Sequence, residues 1–367
     1  AGTQPLDSGD GAGPWRVEDI TGVSKDTCIY HLCANPPGIP HPFPQSAWHI
    51  QVFLGSTVRE YTPISSAGAW EEGRLDLLVK TYPDGQVSRF FGTLRTVPEA
   101  QEAALQSYGV PLEEQNCWVN VSAPLLTLDL PSFAAAPQLA LVAGGTGIAP
   151  LAQIVSHCVA GSVLERCQVM LLYSSRTVED ILMLEELQRL EVACCGRLQI
   201  FHTLTQPATA RSRRSATTST RRLYFSGCHQ HFRQEMEEME ETELPTWEGH
   251  VDEEMMRKAL EMTFGTGKMT NAMRVVVCGP QGLLDTVEAF CLGAGFPSEH
   301  LVLLQATKQS EAPIFDSSDS DDDEDDEVAS EVAVAIPMIS VSAPGATPPA
   351  VSENPSGPSV PSSRKPG

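Results

Sequence analysis

The feature that most restricts the fold is a change of pattern near Pro137. Downstream of it, apolar runs of strand length at 138–143, 168–173, 198–204, 274–278 and 301–305 alternate with helical patterns at 150–159, 178–192, 251–263 and 281–293. Strands that are apolar on both faces and separated by helices predict an open parallel sheet covered on both sides. Such a sheet binds ligands at the carboxyl ends of its strands. Upstream, from Trp15 to about Leu130, the pattern is short and turn-punctuated, with strands expected at 28–32, 49–54, 75–81 and 118–121. Several short strands with turns between them suggest a small antiparallel barrel.

The expected architecture is therefore β + α/β. A flexible arm over 1–14 precedes a β-barrel over 15–136, and a parallel-sheet, Rossmann-like α/β domain follows over 137–307. That second domain is interrupted by a long insertion at 206–249, which opens with five arginines (Arg211, Arg213, Arg214, Arg221, Arg222) and continues with glutamates. Connections of this length in a compact domain are functional or disordered. A disordered acidic, then Pro- and Ser-rich, tail over 308–367 completes the chain. It holds twelve acids against three bases, so nine of the 23 net negative charges belong to it. This charge argues against nucleic acid as a partner.

Ten scattered cysteines without a CxxC pair fit an intracellular reducing compartment, cytoplasmic or at a mitochondrial or endoplasmic-reticulum surface if an upstream signal exists. No stretch approaches 18 uninterrupted apolar residues, so membrane association is expected only through a segment upstream of residue 1. The quartet from Cys228 to His231 supplies too few spaced ligands for a metal, and none is expected. Ser318 and Ser320 each precede an aspartate by three residues and suit an acid-directed kinase.

Four clusters carry chemistry. In Arg59-Glu-Tyr-Thr-Pro-Ile-Ser65, strand alternation puts Arg59 and Tyr61 on one face, where a guanidinium can hold a pyrophosphate and a phenol can lie against an aromatic ligand. Thr62 and Ser65 are left for hydrogen bonds. In the segment from Lys80 through Tyr82, Gly85, Gln86 and Val87 to Ser88, the glycine admits close backbone approach and the following amides open a short helix toward Phe91. A plain hairpin turn explains that glycine equally well. The third cluster, Ala143-Gly-Gly-Thr-Gly-Ile-Ala-Pro150, joins a strand to a helix with the small residues a phosphate cradle needs. The fourth, Cys278-Gly279-Pro280, ends a parallel strand at the crevice. Taken singly, each is also compatible with an ordinary turn or strand.

In this order and on these elements, the four clusters together resemble the ferredoxin-reductase-like flavoproteins, and most closely the NADH-cytochrome b5 reductases, over about 15–305. The resemblance implies FAD bound by Arg59, Tyr61, Thr62 and Ser65, with Gly85 to Ser88 on its pyrophosphate. It implies Thr146 at the flavin edge and Gly144, Gly145 and Gly147 admitting the pyridine nucleotide. Lys80 is implied near that nucleotide, and Cys278, Gly279 and Pro280 beside the nicotinamide. Thr146 and Cys278 are thus the implied catalytic positions, Cys278 as a positioner. The implied reaction is hydride transfer from NADH (or NADPH) to FAD, then single-electron delivery to cytochrome b5 or a fused haem domain. An alternative is a flavoprotein-derived structural or interaction subunit. Val87 and Leu283 stand where the family usually has methionine, and Thr205-Gln206 where its NADH-preferring members have an aspartate. The nicotinamide coenzyme therefore stays open between NADH and NADPH.

Overall fold

In a computed structural model, which describes residues 11–34, 39–96, 117–207 and 246–305, the chain forms two sheets. The arginine-rich segment, the Cys228 to His231 quartet and the acidic tail with Ser318 and Ser320 lie outside the described residues.

The first sheet is antiparallel and contains β1 (Gly13–Ser24), β2 (Thr27–Cys33), β3 (Ala47–Leu54), β4 (Thr57–Tyr61), β5 (Arg74–Lys80), β6 (Trp118–Val121) and β7 (Leu125–Leu128). Its order is β4-β3-β6-β1-β2-β5, with β7 paired to β3. A bridge between Pro63 and Leu77 brings the chain after β4 back onto β5, curling the sheet toward a barrel. The inward positions alternate: Leu75, Leu77 and Val79 of β5 meet Ile50 and Val52 of β3, and Trp15, Trp48 and Trp70 complete the core. Two short helices decorate it, α1 (Ala67–Glu71) and α2 (Gln86–Phe91).

The second sheet is parallel, with order β11-β10-β9-β8-β12-β13. Its strands are β8 (Gln138–Gly144), β9 (Gln168–Ser175), β10 (Leu198–Leu204), β11 (Thr246–Glu248), β12 (Met273–Cys278) and β13 (Leu301–Leu304). The crossovers are α3 (Ile148–Ser156), α4 (Leu184–Ala193), α5 (Glu253–Phe264) and α6 (Gln281–Gly293). Leu139, Leu141 and Ala143 of β8 face one apolar cluster with α3, while Ala140 and Val142 face the other with α5, so both faces of β8 are buried. Full burial on both sides is why this strand reads as an unbroken apolar run.

Helix signals hold up locally. Asp252 caps α5 by accepting from the Met255 N–H at 2.8 Å, and Gly265, at φ 71°, ends that helix. Pro150 is tolerated in α3 because it lies in the first turn, where its missing N–H costs no helix bond.

Four expectations need correction. Gly13 and Pro14, expected in the arm, already pair with Val121 and Asn120 of β6. The helix expected at 178–192 is a 3-10 turn at Val178–Asp180 followed by α4, since Met183 takes a left-handed conformation (φ 59°) that interrupts helical geometry. The helix expected at 150–159 runs Ile148–Ser156. The insertion at 206–249 contains β11, which extends the parallel sheet beside β10.

The two layers are joined by a buried glutamine. Gln153 of α3 accepts from the Trp48 N–H at 2.9 Å and donates to the Pro63 carbonyl at 2.8 Å, so one side chain satisfies two backbone groups of the barrel.

Two buried histidines make stability pH-dependent. Burial lowers both His41 and His202 to about 4 from 6.5, in His41 against the opposing pull of Glu71. Both are neutral in the fold, so the unfolded chain binds more protons below pH 6.5 and stability falls as pH drops from 6.5 toward 4. The loss is up to about 3 kcal/mol for each by the low end. His31, raised by its hydrogen bond to Asp76 at 2.8 Å, works the other way and offsets part of it. The thermal midpoint should therefore fall between roughly pH 7 and pH 4.5, and His202→Asn should flatten the profile. A midpoint that is level over this range in the wild type would show that these rings are not buried neutral.

Candidate active site

The barrel and the parallel sheet face each other across a cleft of about 1510 Å³. Its barrel wall is made by β4, the end of β5 and the turn into α2. Its other wall is made by the carboxyl ends of β8, β9, β10 and β12, as expected for a parallel sheet. Arg59, Tyr61, Thr62, Lys80, Tyr82, Gly85, Gln86, Val87 and Ser88 come from the first, and Gly144, Gly145, Thr146, Gly147, Cys278, Gly279 and Pro280 from the second. Ser65 is not among them. The chain turns after β4, and the Ser65 hydroxyl accepts from the Asp76 N–H at 3.0 Å beside a separate hollow of about 460 Å³.

Individual roles differ from what proximity in sequence suggests. Arg59 donates to the Val58 carbonyl at 2.7 Å and has no carboxylate partner among the described residues, leaving most of its N–H groups free for an anion. Tyr61 packs against Phe91 with ring centroids 5.3 Å apart, and burial pushes its phenol up so that it stays protonated. Ser88 is committed to its own turn: its hydroxyl accepts from the Tyr82 N–H at 3.1 Å and donates to the Gly85 carbonyl at 3.3 Å. A side chain at Gly85 would run into that hydroxyl, which explains the glycine. Val87 is buried in the barrel core, while Gln86 accepts from the Thr57 hydroxyl at 2.7 Å.

The opposite wall is held by close backbone crossings. A Cβ on Gly147 would fall on the Cys278 carbonyl, and one on Gly144 would lie 2.8 Å from Pro280 Cδ. Gly145 has φ 55°, a conformation that favours glycine. Beneath this loop, the buried Tyr173 phenol donates to the Gly145 carbonyl at 3.2 Å and accepts from the Leu182 N–H at 3.2 Å. One side chain thereby fixes both the glycine loop and the segment after β9. Burial pushes the Cys278 thiol up to about 12, so it remains a neutral neighbour and no nucleophile.

His49 and Asp26 carried no sequence signal. His49 of β3 shares a 2.7 Å hydrogen bond with the Thr127 hydroxyl and lies 3.8 Å from Glu60, and burial lowers its pKa. Arg176, after β9, binds Asp180 through two contacts of 3.0 and 2.9 Å. It also reaches Asp26, in the β1–β2 turn, at 3.0 Å. These residues become neighbours only when distant segments fold together, which no local periodicity announces.

The residues present fit a dinucleotide. Arg59 has no acidic partner among the described residues, Tyr61 and Thr62 line the cleft beside it, and the Gly144 to Gly147 loop lines the facing wall. Two family models match along the chain in the order of its two layers. Residues 14–100 match the oxidoreductase FAD-binding domain family and residues 141–231 the oxidoreductase NAD-binding domain family.

Among individual proteins, the chain is similar to NADH-cytochrome b5 reductases. It is 30% identical to NADH-cytochrome b5 reductase 2-A of Vanderwaltozyma polyspora over 152 residues, 41% of this chain and 44% of that protein. It is 23% identical to NADH-cytochrome b5 reductase 1 of Cryptococcus neoformans over 297 residues, 78% of this chain and 80% of that one. The match spans less than two thirds of the first relatives' length. The fold matches the ferredoxin NADP+ reductase of Neisseria gonorrhoeae (TM-score 0.54, 14% identity, 79% of this chain and 97% of that one). It also matches the cytochrome b5 reductase domain of Ulva prolifera nitrate reductase (TM-score 0.53, 16% identity, 82% and 100%).

Proposed function

We propose that this chain is an FAD-dependent oxidoreductase that takes hydride from a reduced nicotinamide nucleotide and delivers electrons singly to a haem protein such as cytochrome b5. The observation that carries this is the single cleft whose barrel wall holds Arg59, Tyr61 and Thr62 and whose sheet wall holds the Gly144 to Gly147 loop and Cys278 to Pro280. Bound FAD would supply the chemistry that accepts one hydride, which carries two electrons, and releases those electrons one at a time.

The chain's own residues bind and orient. Arg59 and the amides of the turn at Gln86 to Ser88 hold the pyrophosphate, and Tyr61 supports the flavin ring. Thr146, in the middle of the glycine loop, lines the cleft. Gly147 and Cys278 set the depth of the nicotinamide's approach through their backbone contact. No side chain need ionise for this role, consistent with the neutral Cys278. Tyr82 and Leu126 are exposed at the cleft and offer apolar surface to an acceptor.

The test is anaerobic stopped-flow of the flavin-loaded protein with NADH and NADPH in parallel, followed by addition of oxidised cytochrome b5. Flavin bleaching and then haem reduction are expected. Protein that takes up no FAD, or flavin that neither nucleotide bleaches, would end this reading, and bleaching without haem reduction would end the choice of acceptor.

A further inference from the structure

The helix that follows the glycine loop is bonded directly to the barrel segments that carry the opposite wall of the cleft. α3 begins at Ile148, immediately after Gly147, and its first turn lines the cleft at Ala149 and Pro150. About a turn later Gln153 reaches into the barrel, with 8% of the residue exposed. Its Oε1 accepts from the Trp48 N–H at 2.9 Å and its Nε2 donates to the Pro63 carbonyl at 2.8 Å. Both bonds end beside cleft residues, since Trp48 precedes His49 and Pro63 follows Thr62.

The two backbone groups lie where the barrel's pairing is irregular. β3 shifts register against β7 between Ala47 and Trp48, and Pro63 stands beyond the end of β4, held to Leu77 by an isolated bridge. One bond is accepted and the other donated, so an amide turned over would set N–H against N–H and oxygen against oxygen, and the side chain has a single orientation. Two bonds to two segments fix an angle as well as a distance, whereas one would leave a pivot. Other contacts between the layers lack that direction or that shelter. Ile29, Ala47 and Leu78 of the barrel join Leu151 and Ile154 of α3 in one apolar cluster, which holds the layers together without directing them. The ion pair of Asp26 with Arg176, whose side chain is 43% exposed, is open to screening by salt.

Resting on the oxidoreductase reading, we propose that Gln153 is a positioning residue for hydride transfer, setting the register between the nicotinamide's wall of the cleft and the flavin's wall. The transfer moves one proton and two electrons together from the nicotinamide C4 to the flavin N5, leaving the nucleotide oxidised and the flavin reduced, and its rate depends on how closely those atoms are held. Gln153 touches neither ring. It ties the glycine loop, through α3, to the Tyr61-Thr62 segment, through Pro63. Loss of the bridge leaves each half of the site whole and their mutual placement loose.

Gln153→Met tests this, because it keeps the length of the side chain and removes both hydrogen bonds. FAD affinity is read by flavin fluorescence and affinity for the oxidised nucleotide by calorimetry. Anaerobic mixing with whichever of NADH and NADPH reduces the wild type gives the limiting rate of flavin reduction and the long-wavelength charge-transfer absorbance of a nicotinamide stacked on the flavin. Both affinities should be unchanged and the absorbance weaker, and the limiting rate should fall at least about tenfold, since a misplacement of about 1 Å is worth up to about a hundredfold. Leu187→Ala, which opens the core under α4 without touching the bridge, should lower the thermal midpoint and leave rate and absorbance as in the wild type. A Gln153→Met protein with wild-type rate and absorbance overturns the proposal. So does slow reduction that saturating nucleotide restores, which is a binding defect, and so does an equal loss in Leu187→Ala, which is general loosening. Should Gln153→Met not fold, Gln153→Glu decides: its carboxylate accepts from Trp48 but cannot donate to Pro63, so rate and absorbance must fall, and wild-type values overturn the proposal equally. Wild-type protein that takes up no FAD, or whose flavin neither nucleotide reduces, would defeat the oxidoreductase reading itself. Wild-type reduction together with an unaltered Gln153→Met rate and absorbance would defeat this inference alone.

Discussion

Replacing Arg59 by alanine is expected to weaken FAD binding by about a hundredfold while leaving the fold intact. A charge-assisted hydrogen bond is worth about 1.5–3 kcal/mol, and a guanidinium on a pyrophosphate makes two of them. Losing about 3 kcal/mol corresponds to roughly two decades in affinity. The fold should tolerate the change because Arg59 closes no ion pair among the described residues, and its one hydrogen bond is to the carbonyl of its own neighbour. Arg59→Lys should fall between the two, since an ammonium is a point charge that lacks the planar fork. Flavin fluorescence titration reads all three proteins. An alanine variant that binds FAD as tightly as wild type would remove Arg59 from the site.

Gly147→Val should do the opposite, damaging structure and function together. Its Cβ would fall on the carbonyl of Cys278 and beside the Gly279 nitrogen, and these are backbone atoms that cannot swing aside. β8 and β12 pair in register up to Ala143 and Cys278, so the insertion forces apart two strand ends in the middle of the sheet. Overpacking of this kind costs about 3 kcal/mol, a drop of roughly 10 °C in thermal midpoint for a domain of this size. Flavin reduction by nicotinamide should be lost even where FAD is retained, because the proposed FAD contacts Arg59, Tyr61 and Thr62 all lie on the barrel wall. Gly145→Ala offers the control: nothing lies within 4 Å of its Cβ, so only its positive φ resists, at about 1 kcal/mol. Similar losses in both variants would mean that backbone conformation, and not the contact with Cys278, governs the loop.

The parallel sheet was legible because burial on both faces leaves unbroken apolar runs at β8, β9 and β12. β1 was not. Its pairing with β2 shifts register between Val17 and Asp19 and again between Gly22 and Ser24, so alternation along the strand is broken where a period of two would reveal it. The break before α4 was equally hidden: apolar spacing continues through Leu182 and Met183, and a left-handed residue leaves no mark on that spacing. Ser65 was grouped with Arg59 and Tyr61 by closeness in sequence, but strand alternation applies only as far as Tyr61, where β4 ends.

Turns and cradles are local. Gly85, Gly145 and Gly147 are needed where they stand because of what a Cβ or a positive φ would meet there, and residue types alone signalled those places. Charge pairing across the cleft is not local. Asp26 and Arg176 are 150 positions apart, and Lys80 comes from a third segment. The sequence by itself determined that the chain has two walls suited to dinucleotides. Only the tertiary structure decided which cation is left open and which already holds an anion, because that depends on a 3 Å contact between segments whose order in the chain carries no trace of it.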